Sequence, residues 1–448
     1  MKVCKFGGSS LAGASQVSKA CDIVTSDPER RVVVVSAPGK RHKDDTKVTD
    51  LLIACAESKL AGNSAEEEIG AVIERFAVIQ EGLGLPADVT EGISRDLRER
   101  LNGDTDHRAR FVDGMKAAGE DNCAKIVTEE LCRRGVDAHY LSPKDAGLLL
   151  SDEYGNAQLL PESYDNLSVL REAKGVTVFP GFFGYTRAGA IVTFPRGGSD
   201  ITGSILAAAI RADVYENFTD VNSVLAADPD IVPDAKPVVE LTYREMRELS
   251  YAGFRVLHDE AIVPAVRAGI PICIKNTNCP DAPGTKIVPE RKHVHKEIVG
   301  IASDEGFCTI FLSKYLMNRE IGFGRRLLQI FEDEGLSYEH IPSGIDNLSI
   351  ILRKKGFDST TEERVLERIR TELGVDDVEI EHGLTLIMIV GEGMRYTIGL
   401  AAKATRAFAD AGVNIEMMNQ GSSEISMMFG VKSADQKKAV RSLYNAFF

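Results

Sequence analysis

The segment that most constrains this chain is Lys5-Phe6-Gly7-Gly8-Ser9-Ser10, which ends a predicted first strand, residues 1–6. The two glycines let the backbone turn with its N–H groups exposed, and Lys5 adds a compact positive charge. Apolar residues at helical spacing follow in residues 15–25. A strand, a glycine turn and a helix in this order are typical of phosphate-binding α/β folds. Taken alone, the pattern fits an ordinary tight turn at least as well.

Length and composition bound the class of protein. A chain of 448 residues is too long for one core, so we expect two or three domains. The formal net charge of -14 argues against a nucleic-acid or membrane-surface binder, because both need a dominant basic face. The eight cysteines include no C-x-x-C pair, which indicates reduced thiols. Without an apolar run of about 18 residues or a cleavable leader, we expect a cytoplasmic protein.

Strands and helices alternate along residues 1–276. Residues 31–36 are a β-branched run without polar alternation, as in a strand buried on both faces of a parallel sheet. This alternation of strands and helices predicts a three-layer αβα sandwich with a mainly parallel sheet. In such folds ligands bind at the carboxyl ends of the strands. The loop of residues 37–46 is either a solvated surface loop or a flap over such a site. Further strands are predicted at residues 137–141, 147–151, 176–179, 214–218 and 271–275.

A second glycine loop, Arg196-Gly197-Gly198-Ser199-Asp200, opens a predicted helix at residues 201–212. Its N–H groups, the helix dipole and the arginine fork together suit a carboxylate or a phosphate. Asp200 is either the N-cap of that helix or a partner that aims Lys5. Two such loops in one domain are much less expected by chance than one.

Other polar residues occupy special positions. Glu120 follows Gly119 inside a predicted helix, residues 111–134, where a glycine costs about 1 kcal/mol relative to alanine. Gly119 therefore serves either close packing or a helix start, and Glu120 is a candidate functional residue. Arg255, beside a glycine turn, is a better candidate than the nearby lone histidine, His258.

The pattern changes beyond a predicted linker, residues 277–297, which is rich in Pro, Asn and basic residues. Residues 298–380 predict a small β-α-β-β-α module, with strands at residues 298–302, 308–312, 336–341 and 347–352, and residues 381–448 repeat its order. The tail is therefore expected to be a tandem of two ferredoxin-like modules.

With these segments assembled, the chain resembles the aspartokinases of the amino-acid-kinase family over essentially its whole length. The resemblance rests on the two glycine loops, on Thr219-Asp220-Val221 and on Ser250-Tyr251-Ala252-Gly253. The tail resembles paired ACT regulatory modules, with Gln420-Gly421-Ser422-Ser423-Glu424 close to the signature of the second. Four residues depart from the family pattern, mostly at expected nucleotide contacts: Pro195, Leu225, Asp230 and Arg255.

The resemblance implies transfer of the γ-phosphoryl group of ATP, with Mg²⁺, to the side-chain carboxylate of L-aspartate. That carboxylate is ionised at pH 7, so no general base is needed. The product, 4-phospho-L-aspartate, begins lysine, threonine and methionine biosynthesis. The implied catalytic residues are Lys5, Asp200 and Arg255. The implied ATP contacts are Gly7, Gly8, Ser9, Thr219, Asp220 and Asp228. The implied aspartate contacts are Ser36, Thr49, Glu120, Arg196, Gly197, Gly198 and Ser199; no metal site made of side chains is expected.

The paired ACT modules imply feedback by an end-product amino acid, lysine, threonine or both. Carboxylates among the candidate residues slightly favour lysine. Open sheet edges need cover, which predicts a homodimer or a dimer of dimers through these modules. The effector candidates are Met317, Glu339, Ser343, Asp346, Asn414 and Ile415.

Two other classes of function remain open from the sequence. A kinase of glutamate or of a nucleotide could share both glycine loops, although the paired modules count against it. A regulatory binding protein that kept the fold without the activity would fit the departures at Leu225 and Arg255.

Overall fold

The computed structural model describes residues 1–195, 197–254, 259–291, 297–421 and 423–448. The chain forms two compact units. The first comprises residues 1–224, 237–246 and the described part of 255–291, and the second comprises residues 225–236, 247–254 and the described part of 292–448. Two short segments that lie between parts of the first unit in the sequence, residues 225–236 and 247–254, therefore belong to the second unit.

The first unit contains an eight-stranded sheet and a separate two-stranded hairpin. The strands are β1 (Lys2–Phe6), β2 (Arg30–Val35), β3 (Ala138–Tyr140), β4 (Val176–Pro180), β5 (Phe183–Tyr185), β6 (Ile191–Thr193), β7 (Val214–Thr219), β8 (Glu240–Thr242), β9 (Ile272–Asn276) and β10 (Thr285–Val288). The main sheet has the order β3-β4-β2-β1-β7-β9-β10-β8. The first six strands in that order, from β3 to β9, are parallel to one another. Strand β10 runs antiparallel to β9, and β8 runs parallel to β10.

Helices cover both faces of this sheet, which confirms the expected sandwich. Helices α1 to α5 share one apolar core with β1 and β2, and α7 packs against the same strands separately from that core. The central strands β1 and β2 are mostly apolar because both of their faces are buried, and their charged residues are Lys2, Lys5, Arg30 and Arg31. The helices are α1 (Ala14–Thr25), α2 (Val48–Leu60), α3 (Glu66–Leu83), α4 (Ala87–Leu101), α5 (Arg108–Arg133), α6 (Glu162–Ser168), α7 (Gly198–Ala209), α8 (Tyr243–Tyr251) and α9 (Val263–Ala268).

At two segments the secondary structure of this unit differs from the expected pattern. Residues 147–151 form no strand, because only isolated bridges from Leu149 and Leu150 pair them with other backbone. The predicted linker contains β10, whose Thr285 and Ile287 are fully buried in the main sheet. A four-residue strand between proline and glycine residues has too little periodicity to be recognised, and pairing with β9 and β8 stabilises it.

The second unit contains one five-stranded sheet of order β12-β11-β13-β15-β14. Its strands are β11 (Gly300–Ser313), β12 (Asn347–Arg353), β13 (Asp377–Val390), β14 (Met417–Asn419) and β15 (Ser426–Lys432). Its helices are α10 (Phe323–Asp333), α11 (Ser359–Leu373), α12 (Leu400–Asp410) and α13 (Gln436–Phe447). Within the described ranges, no helix of either unit combines the length and apolar character needed to cross a bilayer.

The two modules of this unit share their longest strands. The first part of β11, from Gly300, pairs with the end of β13, and the second part, from Phe307, pairs with its beginning. The strands predicted at residues 298–302 and 308–312 are thus one strand, interrupted by a register shift between Asp304 and Phe307. The strand predicted at residues 336–341 is absent, since only His340 bridges to β12 there. A continuous strand looks like two because the irregular residues interrupt the apolar pattern.

Candidate active site

The first glycine turn lies at the carboxyl end of β1. Lys5 is buried, and its Nζ atom lies 2.5 Å from Asp200 Oδ1. The Gly7 N–H donates to the carbonyl of Phe218 at the end of β7, at 3.1 Å. A Cβ atom at Gly7 would lie 3.6 Å from Lys5 Nζ, so the turn passes directly beside the ammonium group. A buried cation therefore stands next to a glycine turn at the ligand-binding edge.

Asp200 holds that cation in place. It is the third residue of α7, and the N-cap is Gly197 in a left-handed conformation (φ 84°), so Asp200 is not the N-cap. Its Oδ1 atom also accepts a hydrogen bond from Asn217 Nδ2 at 2.8 Å. Asn217 lies on β7 in register with Lys5. The sequence analysis missed Asn217, although a polar residue within a buried strand was a usable signal.

Glu120 is a buried carboxyl group of α5 that lies beside the backbone of Ala37, in the loop after β2. Its Oε2 atom has no hydrogen-bond partner in the described part of the chain. Burial raises the pKa of Glu120 to about 8, while the Ala37 N–H and the charge of Lys5 act in the opposite direction. A Cβ atom at Gly119 would lie 2.7 Å from that of Ala37, so Gly119 serves close packing and not a helix start.

Ser36 and Thr49 stand at the two ends of the loop between β2 and α2. The Ser36 N–H donates to the carbonyl of Phe6 at 3.1 Å, which places it beside the glycine turn. Thr49 lies in the first turn of α2. Both residues are partly exposed. They therefore flank the same end of the sheet as Lys5.

The start of α7 packs tightly against the turn after β4. A Cβ atom at Gly181 would lie 2.7 Å from that of Ser199. Phe182 has φ 75°, a strained conformation for a residue other than glycine. Its N–H donates to Thr202 Oγ1 at 3.0 Å. Strain of this kind concentrates at functional sites, and no pattern in the sequence marks Phe182 as a site residue.

The residues predicted to bind ATP are partly brought together. Thr219 ends β7, and its hydroxyl donates to Asp220 Oδ1 at 3.1 Å. Asp228 belongs to the second unit, where its carboxylate accepts the Asp230 N–H at 2.9 Å. Arg196 and Arg255 lie outside the described residues, as does His258.

The effector candidates divide into three sets within the second unit. Met317, Ser343 and Asp346 lie together, because Asp346 Oδ1 accepts the Leu316 N–H at 2.9 Å and Ser343 bridges to Leu348. Glu339 is already engaged by the Tyr251 hydroxyl and by Arg353 Nε, the latter at 2.8 Å. Asn414 and Ile415 precede β14 in the other module.

No three His, Cys, Asp or Glu side chains in the described segments converge in a way that could hold a metal ion.

Comparison with known proteins places this geometry in a family. Residues 1–276 match the amino acid kinase family, and residues 387–447 match the ACT domain. The chain is 58% identical to aspartokinase 3 of Bacillus subtilis (strain 168), covering 100% of this chain and 99% of that one. The crystal structure of Clostridium acetobutylicum aspartate kinase is similar at 37% identity and a TM-score of 0.90, with both chains fully covered. Escherichia coli aspartokinase III with aspartate and ADP is similar at 26% identity and a TM-score of 0.77, again over both full chains.

Proposed function

This chain belongs to the aspartokinases of the amino acid kinase family, and from that premise we propose which of its residues perform the reaction. It is an aspartate kinase: it transfers the γ-phosphoryl group of ATP to the side-chain carboxylate of L-aspartate and is regulated by feedback through its ACT modules. This phosphorylation is the first step of lysine, threonine and methionine biosynthesis.

The substrate's ammonium group is assigned to Glu120. One observation carries this assignment: a buried carboxyl group with an unpartnered oxygen lies within electrostatic reach of Lys5. A carboxylate in such a place is stabilised by a cationic ligand more than by water, because it has no other partner to lose. Arg196 would bind the α-carboxylate by its planar fork. The other contacts are assigned to Ser36, Thr49, Gly197, Gly198 and Ser199.

In the reaction, a side-chain oxygen of aspartate attacks the γ-phosphorus of ATP. A bond forms between them while the bond to the β,γ-bridging oxygen breaks, and ADP leaves with that electron pair. Lys5 stabilises the charge on the transferred group, together with the N–H groups of Gly7 and Gly8. Asp200 positions Lys5 through the 2.5 Å contact, and Arg255 is proposed as a second cation.

The nucleotide is assigned to the glycine turn, to Ser9 and to Thr219, Asp220 and Asp228. Mg²⁺ supplies further neutralisation of the phosphates when it is bound with ATP. We propose a catalytic domain of residues 1–276, a linker of residues 277–297 and ACT modules of residues 298–380 and 381–448. The linker would then carry β10 as a strand of the catalytic sheet.

The proposed effector is lysine, on chemical grounds. Met317, Ser343 and Asp346 offer a small polar site with a carboxylate for the side-chain ammonium group, and Escherichia coli aspartokinase III has been solved with lysine and aspartate. Asn414 and Ile415 remain candidates from the second module. Glu339 is a weaker candidate than the sequence suggested, because Tyr251 and Arg353 already occupy its carboxylate. Threonine is the alternative effector. Assembly through the ACT modules as a homodimer or a dimer of dimers, in the cytoplasm, completes the proposal.

Trapping the acyl phosphate with hydroxylamine tests the function. We expect aspartyl hydroxamate from the purified chain with ATP, Mg²⁺ and aspartate, and none with glutamate. Added lysine should lower the rate in wild type and less so in Asp346→Asn, because effector and substrate affinities are coupled. Turnover of glutamate or a nucleotide in place of aspartate would contradict the substrate assignment. Equal inhibition of wild type and Asp346→Asn would contradict the effector site.

A further inference from the structure

The loop of residues 37–47 touches the phosphate turn with its main chain. The Gly39 N–H donates to the Gly8 carbonyl at 2.8 Å. A Cβ atom at Gly39 would lie 2.5 Å from the Gly8 carbonyl carbon and 2.8 Å from the Ser9 nitrogen, so only glycine fits there. The loop is therefore neither merely solvated nor free of the site: its position and that of Gly8 are linked.

One side chain holds the start and the end of this loop together. Arg75, a buried residue of α3, donates from one terminal nitrogen to the Gly39 carbonyl at 2.7 Å. From the other it donates to Asp45 Oδ2 at 2.6 Å and to the Thr46 carbonyl at 3.2 Å. A guanidinium group suits this task, because its rigid fork reaches separate acceptors in one plane.

Asp45 extends the same network to the tip of the loop. Its carboxylate accepts the Arg41 N–H at 2.9 Å and the Arg41 side chain at 2.9 and 3.0 Å. The hydrogen bonds from Arg41 and the nearby charge of Arg75 hold the pKa of Asp45 well below its usual range. The carboxylate therefore stays ionised wherever the protein is folded and active, and the network does not depend on pH near neutrality.

We propose that Arg75 is a positioning residue of the phosphoryl transfer. It acts through two successive hydrogen bonds, from its guanidinium to the Gly39 carbonyl and from the Gly39 N–H to the Gly8 carbonyl. Because Ser36 and Thr49 stand at the ends of the same loop, Arg75 also sets the aspartate contacts relative to the turn. This inference rests on the roles proposed above for Gly8, Ser36 and Thr49.

Replacing Arg75 should separate positioning from stability. In Arg75→Ala we expect kcat to fall by about 30-fold and the KM for aspartate to rise, because small displacements of reacting groups cost that much. Arg75→Lys should recover little of the lost kcat, since one ammonium group cannot bind Gly39 at the start of the loop and Asp45 at its end together. Methylguanidinium added to Arg75→Ala should restore part of kcat. The matched control is Arg98→Ala on α4, which removes an exposed ion pair with Glu66 of α3. The kinetic constants of this control variant should equal those of wild type.

A second variant covers the case in which Arg75→Ala does not fold. Gly39→Ala keeps Arg75 but forces the loop away from Gly8, and we expect the same fall in kcat with the same rise in the aspartate KM. Wild-type kinetics in folded Arg75→Ala, or in Gly39→Ala, would overturn the inference. If Lys5→Ala were also fully active, the proposed site itself would be wrong, which is a distinguishable result.

Discussion

Two buried ion pairs differ in how completely their groups are bonded: Arg30 of β2 pairs with Glu216 of β7, and Lys5 of β1 pairs with Asp200 of α7. Arg30 binds Glu216 through two hydrogen bonds of 2.6 and 3.1 Å. Its remaining terminal nitrogen donates to the Ile23 carbonyl and to Ser26 Oγ, and its cation lies 5.5 Å from the centre of the Phe218 ring. Every side of this guanidinium group is occupied.

Lys5 is as deeply buried as this pair, with 7% of its surface exposed against 8% for Arg30 and 6% for Glu216. Yet in the described part of the chain its ammonium group has one ionic partner, Asp200, and faces a turn without side chains. Burial alone therefore does not separate structural from reactive charges. What separates them is the hydrogen-bonding capacity that folding leaves unused, and Glu120 is the extreme case.

The largest expected effect is on catalysis by Lys5. Lys5→Ala should lower kcat by about 1,000-fold, because removal of one group that stabilises transition-state charge costs about that much. The KM for aspartate should change far less, and the melting temperature should fall less than on loss of the fully bonded Arg30–Glu216 pair, because Asp200 keeps its hydrogen bond from Asn217. The hydroxamate assay and a thermal melt measure these quantities.

The matched comparison is Arg196→Ala, which we expect to act chiefly on the KM for aspartate. Lys19→Ala, an exposed lysine of α1, controls for the loss of positive charge alone. If Lys5→Ala raised the KM and Arg196→Ala lowered kcat, the phosphoryl and substrate sites would have to be exchanged.

The next effect is on stability, at the saturated pair. Glu216→Gln leaves the buried Arg30 without its counter-charge and should lower the free energy of unfolding by about 3 kcal/mol. Activity per folded molecule should remain that of wild type. Urea unfolding followed by circular dichroism measures the change. The control is Glu66→Gln, at the exposed pair with Arg98, for which we expect at most about 0.5 kcal/mol. A fall in kcat without a loss of stability would assign Glu216 to the site.

Much of this comparison could be predicted from sequence, and the reasons are local. Lys5 and the glycine turn were recognisable because one short segment contains the strand end, the charge and the glycines. The carboxyl edge of a parallel sheet then brings Thr219 and the start of α7 to the same place. The pattern Thr242-x-x-Glu245 is likewise local: it is typical of a capping box at a helix start, and both of the hydrogen bonds of that motif form.

What could not be predicted depends on contacts between distant segments. Arg75 is separated from Gly39 by 36 positions, and nothing in the sequence of α3 distinguishes it from other helix arginines. Asn217 orients Asp200 only because β7 lies beside β1. Glu339 looked available for an effector until Tyr251 and Arg353 were found on its carboxylate. Whether a polar group is satisfied is a property of tertiary packing, which periodicity does not report.

The smallest effect should arise at Glu120. Glu120→Gln keeps the shape but loses the charge that pairs with the substrate's ammonium group, so we expect the KM for aspartate to rise about 30-fold, or about 2 kcal/mol. The KM for ATP should not change. Steady-state kinetics with each substrate varied in turn measures both, and Glu130→Gln is an unsuitable control because that residue already pairs with two arginines. Asp22→Asn is a better control, because its carboxylate is exposed and its single ion pair, with Arg134, lies at the surface, whereas Glu130 is buried.

The pH dependence of Glu120→Gln sharpens this prediction. In the free protein burial raises the pKa of Glu120 to about 8 from an ordinary 4.5, so the ionised form that binds the ammonium group becomes more abundant as pH rises. The wild-type KM for aspartate should therefore fall between pH 6 and pH 8 and level off above, whereas the variant should show no such slope.

The stability of the wild-type protein should decrease over the same pH range. Between pH 4.5 and pH 8 the folded chain holds a proton that the unfolded chain has released, so the free energy of unfolding decreases as pH rises, by about 1.4 kcal/mol per pH unit. Glu120→Gln lacks this loss and should melt above wild type at pH 8 but not at pH 5. If the difference in melting temperature between the two proteins were the same at pH 5 and pH 8, Glu120 would already be paired. The contrast between fully bonded and partly bonded buried charges would then not hold.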